Sequence, residues 1–229
     1  MNRNWIENTV GETVAHLPQA ADLFRARKID FCCGGHRRLG DVLRELGIDA
    51  GEIAAALDAL VDQQAQRKHT YFLHMTAGDL TNYIEERHHS YLREALPHIG
   101  EVFAKVLKAH AAHHPALFEL HGLFGKLRTD LEQHLVKEEV LLFPQMEEGN
   151  TADATELAAV IIAEHEAAGA VLKQMRALAD DYCPPLDACG TFLRLYDQLV
   201  ELEGDLFQHI HLENNILLKG IGEGGNGVA

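Results

Sequence analysis

Two stretches of the sequence repeat one pattern: HLVKE at 134–138 and HIHLE at 209–213 each place a histidine four residues before a glutamate. Four residues carry a helix slightly past one turn, so each imidazole and its carboxylate project from a single face. A lone H-x3-E pair on a helix is usually a surface contact contributing a few tenths of a kcal/mol. Both copies here run on into apolar residues, VLLFP and NNILL, as buried segments do, which makes them candidates for metal ligation. Two further helical stretches offer histidines: ERHHSYLREALP (86–97) and AEHEAAG (163–169).

The spacings relate these segments. His89 to His134 spans 45 residues and His165 to His209 spans 44, while His134 to His209 and Glu138 to Glu213 both span 75. The pattern reads as two similar helical hairpins in succession, each with a lone histidine on its first helix and H-x3-E on its second. In an up-down-up-down bundle they bring four imidazoles and two carboxylates to one level of the core. Glutamate bridges paired ions and imidazole suits iron, so the set fits a carboxylate-bridged non-haem di-iron centre better than manganese or zinc. Zinc sites usually close with four ligands. The choice between His88 and His89 stays open on spacing alone, because an idealised wheel of residues 80–106 puts His88 nearer the middle of the apolar stripe. Glu139, Glu166 and the acids at 147–148 read as solvated faces, and His113, His114 and His121 as cover for a surface turn.

The elements that must position these residues are helices. Four long helical stretches are expected at roughly 79–110, 116–146, 153–180 and 187–218, separated by the short breaks HHPAL, EEGNTAD and DYCPPLD, so successive helices run antiparallel. Asp79, Thr151 and Asp187 are the expected N-caps. Residues 1–65 read as a small helical domain punctuated by Pro18, the CCGG turn and the Gly47–Gly51 region. Residues 66–78 read as a linker, 79–219 as the bundle and 220–229, GIGEGGNGVA, as a flexible tail. The fold class is all-α, with no strictly alternating strand pattern.

Bulk properties narrow the function. The 229 residues are 47% apolar and carry a net charge of -15, which argues against the nucleic-acid backbone as a partner. The opening MNRNWIENTVGE has no apolar run of the secretory kind and no stretch is long enough to span a membrane, so a cytoplasmic location is expected. The four cysteines form no disulfide framework: Cys183 and Cys189 share the segment CPPLDAC, and Cys32 and Cys33 are adjacent. Neighbouring residues sit about 3.8 Å apart, too close for ordinary disulfide geometry, so Cys32 and Cys33 are expected to be thiols.

With these motifs in place, the chain resembles the repair-of-iron-centres family, hemerythrin-like proteins with a small N-terminal domain bearing D-[FY]-C-C-G-G. The resemblance rests on DFCCGG at 30–35, R-x-H-x3-R-x2-LP at 87–97, H-x3-EE-x2-LFP at 134–144, EHEAAG at 164–169 and H-x2-LENN at 209–215. It implies iron ligands at His89, His134, His165 and His209, with Glu138 and Glu213 bridging two irons, and it favours His89 over His88. His110 matches a further histidine that relatives carry near the site, as a channel or supporting residue. The chain departs from the family in ending its last helix LLKG rather than LFP and in its additional histidines at 110–121.

The resemblance further implies repair of iron–sulfur clusters damaged by nitrosative or oxidative stress, by donation of iron from a labile di-iron site. Alternatives at the same irons are capture of nitric oxide and its enzymatic reduction to nitrous oxide; oxygen carriage fits less well. Damaged or apo iron–sulfur proteins and nitric oxide are the implied partners, with a homodimer suggested by relatives. The CCGG motif gains a role in this frame. Gly34 and Gly35 are expected to allow a tight turn, leaving Cys32 and Cys33 near a helix start beside His36, Arg37 and Arg38, where a lowered thiol pKa would suit receipt of iron or a nitrosyl group. The alternative is that both cysteines are small buried apolar residues.

Overall fold

A computed structural model describes residues 4–64, 72–149 and 151–219. These residues are helical throughout, apart from connecting turns and one isolated antiparallel bridge between Thr9 and Arg38. None of the described helices is long and apolar enough to cross a membrane. The chain divides into two compact units, residues 1–80 with 207–229, and residues 81–206. Residues 66–71 of the expected 66–78 linker and all of the 220–229 tail lie outside the described residues; the rest of the linker forms a 3₁₀ turn at Phe72–His74 and the start of a helix at Ala77.

The first unit contains α1 (Val10–His16), α2 (Ala20–Ala26), α3 (Leu39–Leu46) and α4 (Ala50–Gln64). Thr9 and Glu12 close a reciprocal capping box at the start of α1, and Gly47, with φ of 68°, ends α3 in the left-handed conformation. Val10, Val14, Phe24, Ile29, Phe31, Leu39, Leu43, Ile53 and Leu57 fill the core, and Phe207 packs against it from the C-terminal segment. α5 (Ala77–Ile84) is capped by Thr76, whose Oγ1 accepts from the Asp79 amide at 3.1 Å; Asp79 is therefore not the cap expected of it but sits in the first turn.

The second unit is built on α6 (Ser90–His110), α7 (Ala116–Lys137), the short α8 (Phe143–Glu147), α9 (Thr151–Leu178) and α10 (Gly190–Leu212), whose last residues belong to the first unit. Apolar stripes meet in its core: Leu92, Leu96, Ile99 and Phe103 from α6, Leu120, Phe124, Leu127 and Leu131 from α7, Ile161, Leu172 and Met175 from α9, and Phe192, Leu195, Leu199 and Leu202 from α10. The Thr151 cap cannot be placed, because that side chain lies outside the described residues. Asp187 does not cap α10. Cys189 holds that position, its carbonyl accepting from Leu193 N at 3.0 Å. Between α9 and α10, Asp180, Asp181 and Tyr182 all have positive φ, and the Arg176 guanidinium secures this turn, 5.1 Å from the centre of the Tyr182 ring and 2.6 Å from the nearly buried Glu203 carboxylate.

Among the described residues, three π-helical turns adjoin the long helices, at Glu85–His89, Glu138–Leu142 and Glu213–Leu217. Each contains one of the residues singled out by spacing, and π-turns concentrate at functional sites.

Candidate metal centre

Glu138 is the hub of the second unit's buried polar cluster. Its side chain is fully buried, with Nε2 of His134 3.2 Å from Oε1, Nε2 of His165 3.7 Å from the same oxygen and Nε2 of His89 3.4 Å from Oε2. The two nitrogens of His134 and His165 stand 3.1 Å apart. His134, Glu138 and His165 each present a ligand atom within 4.8 Å of the others. Burial disfavours a charge on Glu138, but the surrounding imidazoles, His134 foremost, outweigh it and hold the carboxyl well below the usual carboxylate range.

The π-turn decides which histidine joins the cluster. An α-helical step of four from the buried Ile84 lands on His88, whereas the wider turn makes the step five and brings His89 inward. His88 is buried too, but its Nδ1 lies 3.0 Å from Asp205 Oδ1 and its ring meets Tyr83 edge-on. The second π-turn does the same one turn beyond Glu138, directing Phe143 inward to stack on the His89 ring at 5.6 Å.

Two outer carboxylates fix the orientation of the rings. Glu139 Oε1 accepts from His89 Nδ1 at 2.7 Å and also binds Arg93; Glu164 Oε2 accepts from His134 Nδ1 at 3.0 Å and also binds Lys137. Desolvation opposes ionisation of both acids, yet their basic partners keep both below the ordinary carboxylate value. Ionised, they only accept, so the ring proton sits on Nδ1 and the Nε2 lone pair turns inward. Lone pairs facing a buried carboxylate repel unless a cation, either a proton or a metal ion, lies between them. The donor separations of 3.1 and 3.2 Å about His134, with 3.7 Å from His165 to the same Glu138 oxygen and 3.4 Å from His89 to the other oxygen, are close to the roughly 3.0–3.4 Å between neighbouring ligands of an ion with bonds of about 2.1 Å. The donor set therefore fits a metal. Glu139, read from the sequence as a solvated acid, is instead held against His89 and Arg93; Glu166 is exposed as expected.

The other expected ligands lie in the C-terminal segment of the first unit. His209 and Glu213 are both buried, with His209 Nε2 2.9 Å from Glu213 Oε1, so the H-x3-E pair does share one face. His110 is not a supporting residue of His89. It lies 21 residues further along the same helix, roughly 30 Å away at 1.5 Å per residue.

In the first unit Cys32 and Cys33 are not joined in a disulfide; their sulfurs lie 3.8 Å apart. Asp30 Oδ1 organises the loop, accepting from both cysteine amides at 3.0 Å. The expected lowering of the thiol pKa is not found at Cys32. The neighbouring Cys33 sulfur, burial and Asp30 all push it up, while Arg37 and Arg38 are engaged by Glu45 and Glu7. The expected tight turn is present as a 3₁₀ turn at Cys33–His36, made with neither Gly34 nor Gly35 at positive φ, and Gly35 has a further task. A Cβ on Gly35 would stand 2.3 Å from Asn215 Oδ1. The glycine lets Asn215 approach, and its Nδ2 donates to the Phe31 and Cys32 carbonyls at 3.3 and 3.2 Å. Asn215 was legible as part of H-x2-LENN, but spacing gave it no task. His211 joins the same contact, with Nδ1 3.3 Å from the Phe31 carbonyl.

Residues 80–221 match the hemerythrin HHE cation binding domain, and residues 6–61 match a domain of unknown function, DUF542. The chain is 31% identical to the iron-sulfur cluster repair protein ScdA of Staphylococcus haemolyticus, over 92% of this chain and 96% of that one. It is 34% identical to the iron-sulfur cluster repair protein YtfE of Musicola paradisiaca over 92% and 94%, and 31% identical to a probable iron-sulfur cluster repair protein of Haemophilus influenzae over 93% and 96%. The chain belongs to this hemerythrin-domain family. Each of these relatives is matched over more than nine-tenths of the chain, so the match takes in both the segment with DFCCGG and the segment with the H-x3-E pairs. Within the family's cation binding domain fall all of His89, His134, Glu138, His165, His209 and Glu213.

Proposed function

We propose that this protein repairs damaged iron–sulfur clusters by releasing iron from a dinuclear site. His89, His134, His165 and His209 would hold the two ions, with Glu138 and Glu213 between them. The observation that carries the reading is the convergence of three imidazole nitrogens on the buried Glu138 carboxylate, with the outward nitrogens of His89 and His134 secured by Glu139 and Glu164. The relatives' names support the repair role, and the donor set supports the metal.

The protein's own groups have distinct tasks in this scheme. Glu139 and Glu164 fix the ring tautomers and raise imidazole basicity, so the buried imidazoles and carboxylates would hold a borderline cation such as iron. Iron leaves as cargo by ligand exchange, with no change of oxidation state required. Cys32 and Cys33 offer the soft donors that compete for it; the Cys32 thiol keeps its proton until an arriving cation displaces it.

The test is an anaerobic incubation of iron-loaded protein with an apo-cluster protein and a sulfide source. Cluster rebuilding with matching loss of iron from this protein is expected, slowed in the Cys32→Ala/Cys33→Ala variant. In a parallel incubation of the iron-loaded protein with nitric oxide and an excess of added reductant, retention of all iron with many turnovers of two nitric oxides, two electrons and two protons to nitrous oxide and water would replace donation by nitric oxide reduction. A single stoichiometric uptake without iron loss would replace it by capture.

A further inference from the structure

A second constellation of ligand-type side chains stands where α6 ends and α10 begins. His110 and His114 are four residues apart, and His114 N bonds to the His110 carbonyl at 2.9 Å, continuing the helical turn so that both rings share a face. Both pack on the buried Phe192, with ring centres 5.2 and 5.8 Å away. The D-x-C segment before α10 meets them. His110 Nε2 is 3.1 Å from Cys189 Sγ, and His114 Nε2 is 2.9 and 3.0 Å from the two Asp187 oxygens. Ligand atoms of His110, His114 and Asp187 lie within 4.8 Å of one another.

We propose that His110, His114, Asp187 and Cys189 bind a single divalent transition-metal ion of the zinc type, at a site separate from the Glu138 cluster. Two imidazoles, a carboxylate and a thiolate are a four-coordinate zinc set, too soft for calcium or magnesium. The His110–Cys189 and His114–Asp187 contacts, at 2.9–3.1 Å, are close to the roughly 3.4 Å that separates ligands of a tetrahedral ion with bonds of about 2.1 Å, while Cys189 stands outside the mutual 4.8 Å group and its exposed side chain turns toward His114 and Asp187 as the ion enters. Entry of the ion displaces the thiol proton, and in both histidines the ring proton comes to rest on Nδ1 so that Nε2 binds, with no electron transferred. The ion fastens the 180–189 turn to the end of α6. His114, which the sequence suggested merely covers a surface turn, becomes a ligand together with a cysteine that spacing had left unassigned.

Cobalt(II) titrated anaerobically into the iron-loaded full-length protein tests this. One equivalent should bind beyond the iron, giving a thiolate-to-cobalt charge-transfer band and the intense visible bands of a four-coordinate ion, both abolished by zinc. Cys189→Ser should remove the charge-transfer band, and His110→Gln or His114→Gln should weaken binding at least tenfold, with iron content and helical circular dichroism unchanged. In Cys32→Ala/Cys33→Ala the band should persist. Absence of the band in the parent, its survival in Cys189→Ser, or its loss in Cys32→Ala/Cys33→Ala would overturn the proposal.

Discussion

Glu139 Oε1 accepts the Nδ1–H of His89 at 2.7 Å while the half-exposed Arg93 lies 2.6 Å from the other oxygen. One carboxylate thus sets both the tautomer and the tilt of a ring that points at Glu138. Removing it takes away the acceptor that fixes the Nδ1 proton and lowers the ring's basicity, while the Phe143 stack remains. Glu139→Ala should therefore weaken iron retention by roughly 10–100-fold in a chelator challenge followed by metal analysis. Glu139→Gln, whose amide oxygen still accepts, should fall between; Glu166→Ala, altering an exposed neighbour, should match the parent. Equal retention in all three would remove Glu139 from the support of the site.

Gly35→Ala should destabilise the first unit by about 1–3 kcal/mol in chemical denaturation, because the new methyl displaces Asn215 and leaves the Phe31 and Cys32 carbonyls without that donor. Gly34→Ala meets the Asp30 side chain at a milder 3.2 Å and should cost less. Combining Gly35→Ala with Asn215→Ala should give less than the sum of the single effects, since both changes act on one contact.

What could be read from the sequence follows the same physical lines. The bundle helices and the H-x3-E pairs are short-range, periodic features, and the long helices Ser90–His110 and Ala116–Lys137 lie where periodicity puts them. His88 outranked His89 on a wheel because a wheel assumes one constant turn, and the π-turn at Glu85–His89 breaks that assumption. Glu139 looked solvated because its partner His89 is 50 residues away, beyond any local pattern. Asn215 and Gly35 were each visible in a motif, yet the need for a missing Cβ appears only when residues 180 apart in sequence touch.

His211 predicts an acid-side loss of stability. Its folded pKa is depressed from 6.5 to about 4, chiefly by burial. Between those values the unfolded chain takes up a proton that the folded one refuses, so stability falls as pH drops below 6.5 and levels off once the folded ring protonates near 4. Melting of metal-free protein should follow that course, and His211→Gln should flatten it. An unchanged slope in the variant would assign the dependence to other groups.

Cys189 should be the most readily alkylated thiol of the metal-free protein at neutral pH. Its pKa is lowered from 9.0 to about 7, first by the hydrogen bond with His110 and then by the Phe192 and Thr191 amides at the start of α10. Thiolate is the attacking form, and the sulfur is exposed. The rate at Cys189 should therefore rise with pH through an inflection near 7, and His110→Gln should move the inflection upward. Cys32, buried and with its pKa raised, should react last. Peptide mapping after brief iodoacetamide treatment reads all three outcomes. Labelling of Cys32 ahead of Cys189 would contradict the electrostatic contrast between a thiol facing helix amides and one facing a carboxylate.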